Sequence, residues 1–173
     1  LVTSVISTSG FSTTDYNLWP PFAQTILVLL MFVGGCSGST AGSIKCGRIL
    51  LLLRSSTRSL LRLSHPRAVR VVKLDGKVVD EETLRTVSSF FLCFFALLGV
   101  GCLVVSLDGY SLTTSFTAAL GCLSNVGPGL DLVGPMGNFG LLSGFNKVFL
   151  SLLMLIGRLE IFPILLLFLP STW

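Results

Sequence analysis

Charge is the scarce ingredient of this sequence. Only 12% of its 173 residues are Asp, Glu, Lys or Arg, where a soluble domain carries about 25%. The deficit speaks against a water-solvated globule and for lipid as the surrounding medium. Histidine is nearly missing: His65 is the single one, which leaves little for imidazole-based catalysis. The five cysteines, Cys36, Cys46, Cys93, Cys102 and Cys122, form no CxxC pair. They lie in or beside apolar runs and read as small buried hydrophobes. No signal peptide opens the chain, which starts without Met inside a Thr/Ser/Gly stretch. The expectation is the C-terminal part of something longer.

The charges that are present sit together. Of twelve Lys and Arg, nine fall between Arg48 and Arg85, leaving Lys45, Lys147 and Arg158 elsewhere. A basic loop between long apolar runs fits the positive-inside rule of a multi-pass membrane protein better than nucleic-acid binding. Nucleic acid is not expected as a partner.

The apolar runs are irregular in length. Phe22 to Val33 makes only about 18 Å of helix, too short for a hydrocarbon core of roughly 30 Å. Gly34 to Ser43 (GGCSGSTAGS) follows, then a second apolar helix, Ile44 to Leu53. This predicts one crossing broken by a loop at membrane depth, where protein or a water-filled cavity must satisfy the backbone. Residues 54–86 form the basic cytoplasmic region, with a hairpin signal at Asp75-Gly76. A spanning helix is predicted from about Val87 to Leu107. Residues 111–123 are too short and hydroxyl-rich to span, and predict a re-entrant helix leading into Ser124 to Gly129. After an outer loop to about Phe145, a last crossing runs from about Asn146 to Leu169, with Trp173 as interfacial anchor. Asp15, Tyr16, Trp19, Pro20 and Pro21 also suit an interface.

The fold class predicted is therefore an all-α membrane protein with helix–pore-loop–helix repeats, re-entrant pore loops, one broken transmembrane helix and a small cytoplasmic hairpin. Three parts follow: 1–53, 54–86 and 87–173. A hydroxyl-rich segment, a glycine-containing loop and a membrane helix occur around Gly10 and again around Gly127, 117 positions later, which implies a pseudo-symmetric repeat.

An ion crossing lipid must exchange its water shell for protein oxygens, and main-chain carbonyls suit potassium when a loop turns them toward an axis. The φ/ψ values required favour glycine at the turning point. Ser7-Thr8-Ser9-Gly10-Phe11 and Asn125-Val126-Gly127-Pro128-Gly129 both fit. Each follows a short helix whose C-terminal partial negative charge favours a cation. The alternative is an ordinary tight turn; recurrence at corresponding positions favours the ion-path reading. Arg158 lies inside the last predicted crossing, where a guanidinium is costly and usually functional. Glu160, two positions on, lies roughly 200° round the helix, so the two do not share a face.

The segments STSGFSTTDYNLWP, GGCSGSTAGSIK, HPRAV, NVGPG, GRLEIF and PSTW together resemble the TrkH/KtrB family of bacterial potassium-uptake proteins over essentially the whole chain. The resemblance implies four helix–pore-loop–helix repeats around one pore, of which this chain supplies the third filter loop onward. It implies filter residues Thr8, Ser9 and Gly10 in the third repeat and Asn125, Val126 and Gly127 in the fourth, with potassium as the transported ion. It also implies a constriction below the filter, made by Arg158 with the loop residues Gly34, Gly35, Gly38, Ser39, Thr40 and Gly42 and the adjacent Lys45. A cytosolic ring of nucleotide-binding subunits (TrkA- or KtrA-like), a homodimer, a bacterial inner-membrane location and no covalent cofactor are implied as well. Two readings stay open beside potassium permeation: a sodium- or proton-coupled symporter, and a non-conducting membrane subunit that docks a cytosolic regulator. An enzyme is not expected. Gly35-Cys36-Ser37-Gly38 matches an intramembrane serine-protease signature, but a serine nucleophile needs a base within hydrogen-bond reach, and His65 is placed in the basic loop.

Overall fold

The computed structural model describes residues 1–36, 38–39, 41–64, 72–74 and 77–159. Within them the chain is mostly helical. The helices are α1 (Val2–Ile6), α2 (Pro21–Phe32), α3 (Cys46–Ser64), α4 (Glu81–Ser106), α5 (Leu112–Leu123) and α6 (Gly144–Arg158). Three short 3-10 helices (Tyr16–Leu18, Asp131–Val133 and Phe139–Leu141) and four two-residue strands, β1 (Val33–Gly34), β2 (Ile44–Lys45), β3 (Lys73–Leu74) and β4 (Lys77–Val78), complete the set.

Helix α2 starts with Pro21 at its first position, where the missing N–H costs nothing. It ends at Phe32 because Val33 turns extended (φ −92°, ψ 103°). The chain between α2 and α3 then closes on itself, since β1 pairs in parallel with β2, Val33 opposite Ile44 and Gly34 opposite Lys45. Helix α3 runs on through Arg54 and Arg58 to Ser64, eleven residues beyond the predicted end at Leu53. Arg and Leu are strong helix formers, so the onset of charge does not end the helix.

Helix α4 is, among the described residues, the one helix long and apolar enough to cross a bilayer, with mean hydropathy 2.4. Leu84, Val87, Phe90, Phe94, Leu98, Gly101 and Val105 form its buried stripe, at the three- and four-residue spacing of one helix face. Leu92, Phe95, Val100 and Leu103 are exposed on other faces, as lipid-facing side chains would be. Phe32, at the break after α2, packs on this helix and on α5: its ring lies 5.8 Å from Phe95, 6.2 Å from Phe94 and 6.5 Å from Phe116.

Helix α5 lies inside the assembly, against α4 and α6. Nine of its twelve residues are buried, Thr114, Ser115 and Thr117 among them. Some of the hydroxyls of this enclosed helix are answered locally, while Ser115 Oγ is buried without a hydrogen-bond partner among the described residues. Ser111 caps it by accepting from Thr114 N–H at 3.2 Å, and the Thr117 hydroxyl donates to Thr113 O at 2.7 Å. Helix α6 is capped in the same way by Ser143, which accepts from Asn146 N–H at 3.3 Å. Its described part closes at Arg158, so the predicted continuation to Leu169, Glu160 and Trp173 lies outside the described residues.

In the basic region β3 and β4 pair antiparallel, Lys73 opposite Val78 and Leu74 opposite Lys77, around Asp75-Gly76, which is outside the described residues. Val72 packs with Leu51, Leu84 and Val87 in a small second core. The Arg54 guanidinium donates to Lys73 O, and Arg58 pairs with Glu81 at 2.5 Å. The pairing ties the end of α3 to the start of α4.

Candidate functional site

The two glycine-containing loops fold alike down to single hydrogen bonds. After α1, Ser7 N–H donates to Thr3 O (2.9 Å), Thr8 N–H to Val5 O (3.1 Å), and Ser9 and Gly10 N–H both to Ser4 O (3.0 and 3.4 Å). After α5, Ser124 N–H donates to Leu120 O (2.8 Å), Asn125 N–H to Cys122 O (3.1 Å), and Val126 and Gly127 N–H both to Gly121 O (3.0 and 3.2 Å). Every donor and acceptor is displaced by the same 117 positions that separate Gly10 from Gly127. Backbone angles repeat too: Thr8 and Asn125 have φ of 54° and 56°, and Gly10 and Gly127 have φ of 68° and 100°.

The consequence is a sorting of polar groups. Each loop turns its N–H groups back into the carbonyl end of its own short helix. Among the described residues, no donor reaches the carbonyl oxygens of Thr8, Ser9, Gly10, Asn125, Val126 or Gly127. Two non-glycine residues are held in the left-handed region to achieve this, at a cost of about 1–2 kcal/mol each. The loops also meet. A β-carbon on Gly10 would lie 2.1 Å from Val126 O and 3.0 Å from Pro128 Cδ, so only a glycine lets the two main chains approach this closely.

The closed loop 34–43 lies against the helix-side ends of both segments. Gly42 N–H donates to the Thr8 hydroxyl at 3.3 Å, and a β-carbon on Gly42 would sit 2.3 Å from Ser124 O. Ser43 donates its hydroxyl to Met31 O at 2.7 Å and lies 3.3 Å from Ser124 O. Met31 O is one of the carbonyls that α2 leaves unpaired where it stops. Ser43 is absent from the residues singled out by sequence; only the general expectation that hydroxyls satisfy broken backbone points to it. Of the loop residues that were singled out, Gly34 is buried and Gly35, Gly38 and Ser39 form the far side of the loop, where Ser39 N–H donates to Cys36 O at 2.9 Å. Lys45 closes the loop in β2. Thr40 lies outside the described residues, as do Ser37 and His65, which a protease reading would need.

Arg158 ends α6 beside the fourth loop. The preceding residue, Gly157, backs onto that loop so tightly that a β-carbon would lie 1.9 Å from Leu123 O and 3.1 Å from Asn125 Nδ2. Asn125 Nδ2 donates to Met154 O at 3.1 Å. The Arg158 side chain is exposed and makes no ion pair or hydrogen bond among the described residues. The geometry brings together two carbonyl-presenting loops and the closed loop against their bases, with the end of α6 packed on the fourth loop through Gly157.

On the far side of the glycines a second set of contacts holds the loops in place. Tyr16, expected at an interface, is instead 1% exposed; it donates to Gly129 O at 2.8 Å. Burial, with the Asp15 carboxylate adding to it, pushes its phenol up to about 12. The carboxylate of Asp131 accepts from Thr114 (2.7 Å) and Ser111 (2.8 Å), and these two hydroxyls hold it below the usual carboxylate range.

Comparison with known proteins is consistent along the whole chain. The family described as TrkH, cation transport protein, matches residues 1–172. The Trk system potassium uptake protein TrkG of Escherichia coli (strain K12) is 37% identical over 173 residues, all of this chain and 35% of that protein. The Trk system potassium uptake protein TrkH of Salmonella typhimurium is 38% identical over 172 residues, 99% of this chain and 35% of that protein. The crystal structure of the potassium transporter TrkH from Vibrio parahaemolyticus superposes with a TM-score of 0.88 at 38% identity, covering 98% of this chain and 36% of that one. The chain thus spans about a third of the length of the relatives it matches.

Proposed function

The chain belongs to the TrkH family of membrane cation transport proteins, and from that premise we propose that it forms two of the ion-coordinating loops of a potassium-selective pore, together with the pore's gate. The relatives named above are potassium uptake proteins. The observation that carries the reading is the repeated loop register, in which two segments 117 positions apart free the same three carbonyls. Potassium loses its hydration to main-chain oxygens of Thr8, Ser9 and Gly10 and of Asn125, Val126 and Gly127. The carbonyl ends of α1 and α5 add a partial negative charge behind it.

Gating falls to the closed loop and Arg158. The loop contacts Thr8 and Ser124, the last residues an ion would pass on leaving the carbonyl-lined path toward the basic side. Arg158 follows Gly157, which backs onto the fourth loop, and a guanidinium carried at that end of the path would repel an approaching cation. Displacing the loop or the guanidinium opens the way. The helical extension of α3, carrying Arg54 and Arg58, and the hairpin beside it present a basic surface. An inner-membrane protein with its basic side in the cytoplasm follows from the positive-inside rule, and this basic surface is the face we assign to a cytosolic nucleotide-binding regulatory subunit. The homodimeric assembly is carried over from the family resemblance alone.

Ion flux through the complete protein in liposomes, under imposed potassium and sodium gradients, tests this reading. Potassium flux that follows voltage and needs no second ion is the expected result. Strict dependence on a sodium or proton gradient replaces it with a symporter. A silent protein that still binds a cytosolic subunit replaces it with a docking component.

A further inference from the structure

The segment after each glycine leaves the carbonyl-lined path and crosses to the other repeat. Asn17 N–H donates to Asp15 Oδ1 at 3.0 Å, and the Gln24 amide donates to Asn17 O at 2.9 Å, so the backbone of Asn17 is fixed from both sides. Its side-chain amide then reaches 114 positions along the chain. Oδ1 accepts from Asp131 N–H at 2.9 Å, and Nδ2 donates to Asp131 O at 3.1 Å. A carboxamide has the donor and acceptor spacing of a peptide group, so Asn17 pairs with Asp131 as a neighbouring strand would. Tyr16 adds a third bond three positions after Val126 and two before Asp131: its hydroxyl donates to Gly129 O at 2.8 Å from a fully buried ring.

Asp131 is unusual in its own right. It is a non-glycine residue with φ of 59°, a conformation that persists only where surroundings over-determine it. A β-carbon on Gly134 would come within 2.3 Å of Asn17 Nδ2, so the chain also curls closely round the amide. Ser111 and Thr114 hold the Asp131 carboxylate from the start of α5. The fourth loop's exit strand is therefore clamped between its own helix and the third repeat.

We propose that Tyr16 and Asn17 are positioning residues for ion selectivity: they fix the separation between the third and fourth carbonyl-presenting loops by gripping Gly129 and Asp131 across the repeat boundary. The inference rests on the pore reading given above. A fixed separation penalises a smaller ion because the carbonyls cannot close around it; loosening the grip relaxes that penalty. Neither side chain touches the ion. Their effect appears in discrimination between ions rather than in a requirement for passage.

The test compares the complete protein with its Asn17→Leu and Tyr16→Phe forms in liposomes, measuring sodium, potassium and rubidium fluxes on the same vesicles. Asn17→Leu keeps the approximate shape and loses both bonds; Tyr16→Phe loses a single hydroxyl and keeps the ring. In Tyr16→Phe the sodium-to-potassium flux ratio is expected to rise about fivefold, the equilibrium weight of one ordinary hydrogen bond, and in Asn17→Leu, which loses two, by more than that. Potassium flux itself persists. Should Asn17→Leu fail to accumulate, Tyr16→Phe decides alone. An unchanged ratio in variants of normal yield overturns the proposal, and so does a uniform fall of all three fluxes, which marks a scaffold role only. An unmutated protein that conducts no potassium overturns the pore reading itself and is seen in the control.

Discussion

Gly10 faces the main-chain carbonyl of Val126 at a distance where a β-carbon would lie 2.1 Å from the oxygen. This contact joins two loops from separate repeats, and it differs in kind from the situation of Gly127. There no atom lies within 4 Å of an added β-carbon, but φ is 100°. Gly10 is required by space and by its φ of 68° together, Gly127 by backbone conformation alone.

Substitution should show what crowding adds to backbone strain. Gly10→Ala forces the loops apart and is expected to lower potassium flux at least tenfold. Gly127→Ser carries mainly backbone strain of about 1–2 kcal/mol, and is expected to keep flux while weakening potassium preference over sodium. Paired flux assays on protein of matched yield check both; equal severity at the two sites contradicts the geometry.

Arg158 makes no bond among the described residues that its removal would break. Arg158→Ala is expected to raise basal ion flux several-fold while leaving yield and melting temperature near those of the unmodified protein. Unchanged flux from normally folded protein removes the gate role.

Ser43 carries two burdens. Its hydroxyl satisfies Met31 O, and its φ is 61°. Ser43→Gly loses the bond and relieves the strain; Ser43→Ala loses the bond and keeps the strain. The alanine form is expected to be the less stable of the two by roughly 1 kcal/mol. Both are expected to raise basal flux, because the loop loses its anchor beside Ser124. Thermal unfolding in detergent and liposome flux read the two effects.

Tyr16 gives a pH signature. Its phenol is raised in the fold from 10.0 to about 12, so the folded state holds the proton more tightly than the unfolded chain. The resulting stability is fully present below pH 10.0 and is lost as pH rises toward about 12. Alkaline unfolding curves should show this loss, and Tyr16→Phe should remove that component of the pH dependence. A curve identical in the variant assigns the alkaline transition to other groups.

The positions of the turns were legible from glycine and hydroxyl placement alone. Gly10 and Gly127 mark segments whose hydrogen bonds repeat in register, and the break after Val33 follows from an apolar run too short to cross. The start of α5 follows from Ser111 ahead of a hydroxyl-rich run. The end of α3 lies beyond the onset of charge at Arg54, because Arg54 and Arg58 sit comfortably in a helix. The burial of Tyr16 was missed because an aromatic beside Trp19 and two prolines has the composition of an interface. Its partner, Gly129 O, is 113 residues away and leaves no local trace. The same holds for Asn17 with Asp131 and Ser43 with Ser124. Contacts between repeats depend on how the repeats dock, which no local pattern encodes.

The two-residue parallel pairing of Val33–Gly34 with Ile44–Lys45 stitches the neck of the closed loop. Residues between the stitches can be exchanged, lengthened or reshaped while the ends of α2 and α3 stay in register. On the function proposed above, the barrier to conduction is an adjustable insert in an otherwise fixed frame. Descendants of one fold would then acquire different conduction thresholds by altering a handful of small side chains, without renegotiating how the crossing helices pack.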